Sequence, residues 1–374
     1  MSDPRAASLP VTIGLIALRV VVLAIAIHVG RSAAPTDDLL RFHEIVVTPG
    51  TPYRSFPVEY APGEVLFIEG IGSPDPSALA TRLAIAAFVA DIAVWAAVRH
   101  GWGSAAAQRY LWIGAPLLVF LYDRFDLVPV ALAAWGAALA VRGFQRAGGV
   151  AFASGIIAKL WPVVLMPAFV IRGHRRAFGW ACGVSAALAA GWLWFAGTGG
   201  VSGVMTFRHA RGWGVESTVG TLVWIVNGGP VRLEAGSPRV GTAPRWATIL
   251  LAGALVILLV SVWRASSRRD RDPFGSASVA AICALLACSP LFSLQFAAWL
   301  LPWGAIAWAD GERRTFRYVA SIEALTAVLF VVYSPHRALA AQVLLLVRSA
   351  LVLWVVAAWL LPQRTAAAVA GDRR

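Results

Sequence analysis

The chain has 374 residues, of which 59% are hydrophobic and only 14% are charged. Soluble domains average about half apolar and a quarter charged residues, so this composition excludes an ordinary soluble globule, and it equally excludes a disordered chain. The formal net charge of +13 would suit nucleic-acid binding in a soluble protein. Here we expect it to reflect Arg-rich loops on the cytoplasmic side of a membrane, with no nucleic-acid partner.

Apolar runs long enough to cross a bilayer recur along the chain, since a helical span needs roughly 20 apolar residues. The predicted spans are 10–29, 79–98, 106–122, 127–141, 177–196, 246–263, 274–290, 295–309, 316–333 and 339–361. The run from Val11 to Val29 is longer than the core of a signal peptide, so we expect a retained first span. Cys182, Cys283 and Cys288 lie in apolar runs without ligand spacing, which predicts neither a disulfide framework nor a zinc site.

The arginines predict which side of the membrane each loop occupies. With the N-terminus in the cytoplasm, the Arg-rich loops and the C-terminus fall on the cytoplasmic side, as the positive-inside rule requires. These groups are Arg99 and Arg109, Arg142 and Arg146, Arg172, Arg175 and Arg176, Arg264, Arg268, Arg269 and Arg271, Arg313 and Arg314, and Arg373 and Arg374. Two long segments, 30–78 and 197–245, then become the first and second outer regions.

The apolar stretch 148–171 is interrupted by Lys159 and Pro162 and has arginines at both ends. A single span would place one of these Arg groups outside, so we expect a broken, re-entrant hairpin whose chain turns near Trp161-Pro162. Proline removes a backbone donor and disfavours helix before it, which suits such a break. A single Pro-kinked span is the alternative.

Charged side chains inside spans are costly, so we expect them to be paired or functional. Glu323 and Arg348 lie at equal depth on neighbouring antiparallel spans, and Arg19 and Asp91 lie at similar depths on the first two; both predict structural ion pairs. Lys159 is the only lysine and has no acidic residue within ten positions. It is a candidate partner for a phosphate, with a lysine that extends to the membrane interface as the alternative.

The predicted outer loops contain polar and aromatic segments that all fall on one side of the bilayer. The first loop begins with a capped, short amphipathic helix from Thr36 and continues through a Pro/Gly-rich region, Gly50 to Gly63. The remaining segments are Tyr122–Asp126, Arg208–Ser217, Ser289–Gln295 and Tyr333–Arg337. Each segment alone is compatible with a solvated capping loop. Together they predict a catalytic face, with carboxylates for acid–base chemistry and cations for an anionic group.

In this order, the segments resemble the polyprenyl-phosphate-sugar-dependent glycosyltransferases of the GT-C superfamily, and most of all the actinobacterial mannosyltransferases of glycosyltransferase family 87. The matching residues are Asp38 with Phe42, Gly50–Tyr53, Glu59-Tyr60-Ala61-Pro62, Arg124–Asp126, Lys159 with Trp161 and Pro162, Arg211–Trp213 with Glu216 and Ser217, and Ser289-Pro290 with Gln295. The chain departs from the family pattern at Ala61, where a proline is expected. Two extra residues also separate Pro290 from Gln295.

The resemblance implies an all-α, GT-C-like membrane enzyme, which we expect to form one transmembrane catalytic domain over residues 1–374 with about ten full spans and the broken pair. It implies transfer of mannose from a polyprenyl-phosphate donor to a glycolipid or lipoglycan acceptor outside the membrane. An aspartate of the first outer loop is implied as catalytic base. By motif position this is Asp38, with Asp37 as the adjacent competitor.

The chemistry of this transfer assigns roles to the other candidates, because a leaving phosphate must be held by cations as charge develops on it. The phosphate-binding candidates are Lys159, Arg211, Arg208 and His336, and the sugar- or acceptor-binding candidates are Glu216, Asp126, Glu59, Tyr60 and Gln295. A single displacement with one base predicts inversion at the anomeric carbon. We predict no cofactor, nucleotide site or metal, although Asp37 and Asp38 with Glu216 leave a metal site open.

Three alternatives remain open at this stage. A lipid or sugar transporter or flippase without transferase activity would place its binding charges near the midplane between repeats. The unpaired candidates here gather at the outer boundary instead. A scaffold subunit that has lost activity is favoured only by Ala61. Arabinofuranose or glucose donors would need much the same cations and base as mannose.

Overall fold

The structure is a computed structural model that describes residues 7–32, 36–206, 210–234, 236–332 and 338–361; the side chain of Asp37 lies outside this description. The first helices are α1 (Leu9–Ser32), α2 (Asp37–Val47), α3 (Pro62–Ile71), α4 (Pro76–Trp102), α5 (Ser104–Gly114), α6 (Leu127–Val141), α7 (Gln145–Ala158) and α8 (Met166–Ile171). They are followed by α9 (Arg175–Met205), α10 (Thr218–Asn227), α11 (Arg245–Ser267), α12 (Ser278–Cys288), α13 (Leu301–Ala309), α14 (Arg313–Val332) and α15 (Ala338–Leu360).

Short irregular helices connect several of these elements. The 3₁₀ segments are Ala115–Val119, Leu121–Asp123, Trp161–Leu165 and Leu294–Leu300, and a π turn covers Pro273–Ala277. Within the described ranges, six helices are long and apolar enough to cross a membrane, namely α1, α4, α9, α11, α14 and α15. Shorter apolar helices lie between them. The expected all-α, membrane-type fold is therefore confirmed, whereas the count of about ten spans stays a prediction.

A small antiparallel sheet in the second outer region is an exception that the sequence did not predict. It consists of β1 (Trp213–Gly214), β2 (Arg232–Glu234) and β3 (Ser237–Val240), with β3 in the centre. The strands have two to four residues each, which is too short for an alternating apolar pattern to be recognised.

The chain reverses direction between α7 and α8, close to Lys159. The side chains of Gln145 and His174, at the two ends of this segment, are in contact at 3.0 Å. Midway along it, the rings of Phe152 and Phe169 pack edge to face with centroids 4.8 Å apart. The predicted helix break is therefore present, with Lys159 at its tip.

The first outer loop is folded onto the bundle by its own apolar core. The N-cap Thr36 accepts a hydrogen bond from the Leu39 amide, as the predicted amphipathic helix requires. The buried residues of this core come from α2, the loop after it, α3, α4, the turn before α6 and the end of α7: Leu39, Phe42, Ile45, Val58, Val65, Ile68, Leu79, Leu83, Phe125 and Ala158. This packing fixes the carboxylates of the loop above the helix break.

The predicted pair of Arg19 and Asp91 is confirmed. The Arg19 Nε lies 2.8 Å from Asp91 Oδ2, and both side chains are buried. The hydroxyls of Tyr110 and Tyr122 also donate to the Asp91 carboxylate, at 2.5 and 2.8 Å. Both oxygens of this buried carboxylate thus accept at least one hydrogen bond, which makes its burial tolerable.

The predicted contact between Glu323 and Arg348 is wrong. Both oxygens of the buried Glu323 carboxylate lack a hydrogen-bond partner among the described residues, and Arg348 acts on it only over a longer distance. The Arg348 Nη2 instead donates to the carbonyl oxygens of Glu216 at 2.8 Å and Phe292 at 3.4 Å. Equal depth on neighbouring helices does not fix how each helix is rotated about its axis.

Candidate active site

A cavity of about 950 Å³ lies where the first outer loop, the helix break and the second outer region meet. Most of the predicted site residues line it, although they come from distant parts of the chain. They are Asp38, Glu59, Tyr60, Asp126, Lys159, Glu216 and Gln295. The folding of the first loop onto the hairpin tip therefore brings the candidate base and the candidate phosphate-binding cation to one chamber.

Two cations at the polar end of the cavity are each paired with a carboxylate. Arg124 forms an ion pair with Asp38 and a second one, at 3.1 Å, with Asp123. The Lys159 Nζ lies 3.0 Å from Asp126 Oδ1, and this oxygen also accepts a 2.8 Å hydrogen bond from Trp299 Nε1. Lys159 is therefore not an isolated cation. Its carboxylate partner, Asp126, lies in an earlier turn of the chain.

The local sequence explains why Lys159 projects at the tip. Helix α7 ends at Ala158, and the Lys159 backbone is extended, with φ −159° and ψ 120°. Pro162 then lies in the first turn of the 3₁₀ segment, where its missing N–H costs no helical hydrogen bond. The main chain thus leaves the helix at the residue whose side chain carries the charge.

An aromatic stack forms the wall beside Lys159. The rings of Trp161 and Trp299 are nearly parallel, at 8°, with centroids 5.0 Å apart, and Phe296 stacks on Trp299 at 4.3 Å. The Lys159 Nζ lies 5.4 Å from the centroid of Phe296, within the range of a cation–π contact. The stack presents flat apolar surface next to the charged groups.

Glu64 is a member of the site that the sequence reasoning missed. Its side chain is buried and lines the cavity, near the charges of Lys159, Asp126 and Asp38. Burial raises the pKa of the Glu64 carboxyl to about 8, an effect that Lys159 opposes and the two aspartates reinforce. The first outer loop has seven carboxylates, and nothing in their order singles out this one.

A glycine next to Glu64 explains how the carboxyl reaches the hairpin tip. A Cβ on Gly63 would lie 2.8 Å from both the Cα and the N of Ala158, so the backbones of α3 and α7 touch there. This approach is open only to glycine. Gly63, at the end of the Pro/Gly-rich region of the first loop, was therefore the one available, weak sequence signal of close packing.

Glu59 and Tyr60 shape the first loop around the cavity. The Arg41 guanidinium binds Glu59 through Nε and Nη2, both at 2.9 Å, and it also contacts Glu44. Ala61, where the family pattern has proline, adopts φ −66°, the value that proline would impose. The departure at Ala61 therefore leaves the entry into α3 unchanged.

Glu216, from the second outer region, also lines the cavity. Its carboxylate accepts a hydrogen bond from the Leu294 amide, and its carbonyl oxygen accepts one from Arg348. Burial raises the pKa of the Glu216 carboxyl, an effect that Arg348 and the Leu294 amide oppose. Arg348, on the last helix, thus connects the second outer region to the Phe292 turn.

The remaining predicted residues are not gathered at the described cavity wall. The Arg211 side chain is exposed and does not line the cavity, and its main-chain N–H donates to Glu234 at 3.0 Å. Arg208 and His336 lie outside the described residues, as does the side chain of Asp37.

The cavity continues from its polar end into an apolar slot between the hairpin and α11 and α12. This slot is lined by Val163, Val164, Leu255, Val256, Leu259, Leu285 and Leu286. Val163 and Val256 are 51% and 60% exposed, so the slot opens on the apolar outside of the bundle. A lipid chain could enter here while its polar head lies beside Lys159.

A search of curated proteins finds no match for this chain. The model of glycosyltransferase family 87, in contrast, matches residues 74–293, which is more than half of the chain. The matched range contains Asp126, Lys159 and Glu216, whereas Asp38 and Glu64 precede it. Together with the apolar helices, this match identifies the chain as a membrane glycosyltransferase that belongs to glycosyltransferase family 87.

Proposed function

We propose that the enzyme transfers a sugar, mannose in our assignment, from a polyprenyl-phosphate donor to a glycolipid or lipoglycan acceptor on the extracytoplasmic face, with inversion. The observation that supports this most is the joined cavity, in which an apolar slot open to the membrane leads to Lys159 and a group of carboxylates. A polyprenyl chain fits the slot, and a phosphate fits the cation at its end.

In this proposal, Lys159 and Arg124 hold the donor phosphate. Both cations are paired with carboxylates before the donor binds, so the phosphate must share them with Asp126 and Asp38. Arg211, Arg208 and His336 are proposed as further phosphate-binding groups. Cations in a partly desolvated site stabilise the charge that develops on the leaving phosphate more strongly than they would in water.

Asp38 is proposed as the base. The acceptor hydroxyl oxygen attacks the anomeric carbon, the bond from that carbon to the phosphate oxygen breaks, and the hydroxyl proton moves to the Asp38 carboxylate. The products are the inverted glycoside and polyprenyl phosphate. The ion pair with Arg124 holds Asp38 at the cavity wall beside the proposed phosphate site. Asp37 and the buried Glu64 are the competing proton acceptors.

The sugar and the acceptor are assigned to the remaining polar residues. Glu216, Gln295 and Tyr60 can hydrogen-bond to hydroxyls, while Glu59 is fixed by Arg41 and Asp126 by Lys159. The flat surface of the Trp161–Trp299 stack suits a sugar ring or an isoprenoid unit. Under the positive-inside rule both termini are cytoplasmic, and the active site faces outward.

The test is transfer of radiolabelled mannose from polyprenyl-phosphomannose into lipid acceptors by the purified full-length protein. A general base contributes roughly 10²–10⁴-fold in rate, so Asp38→Asn is expected to lose that factor. Asp37→Asn and Glu64→Gln test the competing bases. Glu69→Gln, an exposed carboxylate on the same helix as Glu64, is the matched control and is expected to keep full activity.

Equal activity of the wild type and Asp38→Asn would contradict the base assignment. Transfer from polyprenyl-phosphoglucose or -arabinofuranose but not from the mannose donor would contradict the sugar assignment alone. Movement of the labelled donor across a vesicle membrane without any transfer would instead indicate a flippase.

A further inference from the structure

A second pocket lies at the ends of α6 and α7 that point away from Lys159. It is open, with a volume of about 670 Å³, and its lining includes Phe144, Arg146 and Arg176. Helix α7 runs for 14 residues from this pocket to the hairpin tip, which places the pocket about 20 Å from the candidate active site. It is therefore separate from the proposed glycosyl-transfer site, on the opposite face of the bundle.

Two arginines at this pocket form no ion pair with a carboxylate in the part of the chain that the structure describes. Among the described residues, none places a carboxylate oxygen within 4 Å of the Arg146 or Arg176 guanidinium. Arg146 is held in place because it lies over the ring of Trp180, at 4.6 Å from the centroid. Two guanidinium groups at one concave surface match the charge of a phosphate, and the planar N–H fork of each can bind two of its oxygens.

The same pocket has an apolar flank. Phe144 is 59% and Val150 38% exposed, and both line it. Below them α7 and α9 approach so closely that a Cβ on Gly149 would lie 2.5 Å from the Ala177 carbonyl oxygen. This contact joins α7 and α9 beside the pocket. A small soluble anion would leave the apolar flank of Phe144 and Val150 uncovered, whereas an acyl chain would cover it.

We propose that this pocket binds an anionic phospholipid, with the phosphate on Arg146 and Arg176 and an acyl chain against Phe144 and Val150. The positive-inside rule assigns this Arg-rich face to the cytoplasmic leaflet, whose anionic lipids carry the complementary charge. Basic pockets beside transmembrane helices on this side recognise such headgroups. The proposal does not depend on the glycosyl-transfer reaction.

The experiment is a native mass spectrometry titration of the full-length protein in detergent with palmitoyl-oleoyl phosphatidylglycerol. The other two arms use a zwitterionic lipid, phosphatidylcholine, and inorganic phosphate as a competitor. The Arg146→Gln/Arg176→Gln variant is compared with Arg313→Gln/Arg314→Gln, which removes equal charge from exposed positions on the same face but outside the pocket.

We expect phosphatidylglycerol to bind more tightly than phosphatidylcholine. We also expect the pocket variant to lose roughly 30-fold in affinity, at about 1 kcal/mol for each arginine near the surface. The Arg313/Arg314 variant should lose no more than about threefold. An equal loss in both variants, or equal binding of the two lipids, would overturn the proposal. Displacement of the lipid by millimolar inorganic phosphate would identify a soluble anion as the ligand and would overturn it as well.

A second variant keeps the test valid if the arginine variant does not fold. Ala147→Trp fills the pocket from an exposed position and leaves both arginines in place. It is expected to weaken phosphatidylglycerol binding without lowering the melting temperature measured in the absence of added lipid. Unchanged lipid binding in this variant would contradict the proposed position of the headgroup.

Discussion

Lys159 both neutralises the buried Asp126 and, in the proposed reaction, holds the donor phosphate. Lys159→Met should therefore destabilise the protein by about 3 kcal/mol, because it leaves a buried carboxylate unpaired. The double variant Lys159→Met/Asp126→Asn should regain most of this stability. It should still transfer sugar with a kcat/KM reduced roughly 10–100-fold, the contribution of a charge-assisted hydrogen bond. Thermal unfolding and transfer kinetics measure the two effects, and recovery of activity in the double variant would contradict the phosphate-binding role.

Glu64 makes stability depend on pH in a direction that its burial determines. Since its pKa is raised from 4.5 to about 8, the folded protein favours the neutral carboxyl. The contribution of the Glu64 carboxyl to the free energy of unfolding is fully present below about pH 4.5 and is lost as the pH rises to 8. We expect the melting temperature of the donor-free protein to fall between pH 5 and pH 8, and Glu64→Gln to flatten this fall.

Glu69→Gln on the same helix should keep the pH dependence of the wild type, because its side chain is exposed. The transfer rate gives a second readout. If Glu64 were the proton acceptor, kcat/KM would rise with pH to a midpoint near 8 and this rise would vanish in Glu64→Gln. If the pH profile of kcat/KM were the same in Glu64→Gln as in the wild type, Glu64 would have a structural role only.

The contacts and roles of single residues were best predicted where a sequence motif, or the free-energy cost of a charge inside the bilayer, points to them. Arg19 and Asp91 were found because an unpaired charge inside a span is costly. The pairing of Lys159 with Asp126 was not found, because the two residues are 33 positions apart and meet only through the reversal of the chain. Glu323 and Arg348 show the converse, since equal depth could be read from the sequence and side-chain direction could not.

At the scale of elements, the contact between α3 and α7 sets the distance between the first outer loop and the hairpin tip. Gly63→Ala adds a Cβ that would meet the Ala158 backbone, so α3 must move and carry Glu64 away from Lys159. We expect at least about a tenfold loss of kcat/KM, since small displacements of positioned groups are costly in catalysis. Gly70→Ala adds the same methyl on the same helix, where nothing lies within 4 Å. It should keep activity and gain up to about 1 kcal/mol in stability. Equal activity of the two variants would show that this contact does not position the site.

Element boundaries followed from the sequence where a residue forces them. The break at Lys159 was predictable because Pro162 has no backbone N–H with which to continue a helix. The start of α2 was predictable because Thr36 supplies an N-cap. The sheet in the second outer region depends on pairing across a loop, between Trp213 and Val240, which no local pattern encodes. The kink in α9 lies at Gly197, where φ is 66°, directly after the end of the predicted span 177–196.

At the scale of the whole molecule, the predicted topology can be tested by labelling cysteines from one side of intact cells. Ser55→Cys and Ser267→Cys are the two positions, both exposed, in a Cys182→Ser background that removes the exposed native thiol. A membrane-impermeant maleimide should label position 55 in intact cells and position 267 only after the membrane is opened. Labelling of both from the same side would contradict the assigned orientation.

The class of the fold was accessible from composition, because only helices can satisfy their backbone in lipid without a partner strand. The number of spans was not, since several apolar helices are shorter than a full crossing. Whether such a helix crosses, re-enters or lies at the surface depends on its neighbours, which the sequence alone does not supply.

The first helix contacts the rest of the bundle in an unusual way, since Arg19 is its one buried residue. In a bilayer, apolar side chains gain little free energy by exchanging lipid contacts for protein contacts. The polar contact with Asp91 must therefore provide much of the free energy that holds α1 against the bundle. During synthesis, α1 emerges from the ribosome about seventy residues before Asp91, and Tyr110 and Tyr122 follow later still. The order of translation thus becomes an order of assembly: Arg19 has no carboxylate partner until Asp91 has been made, and the two tyrosine donors complete the site later still.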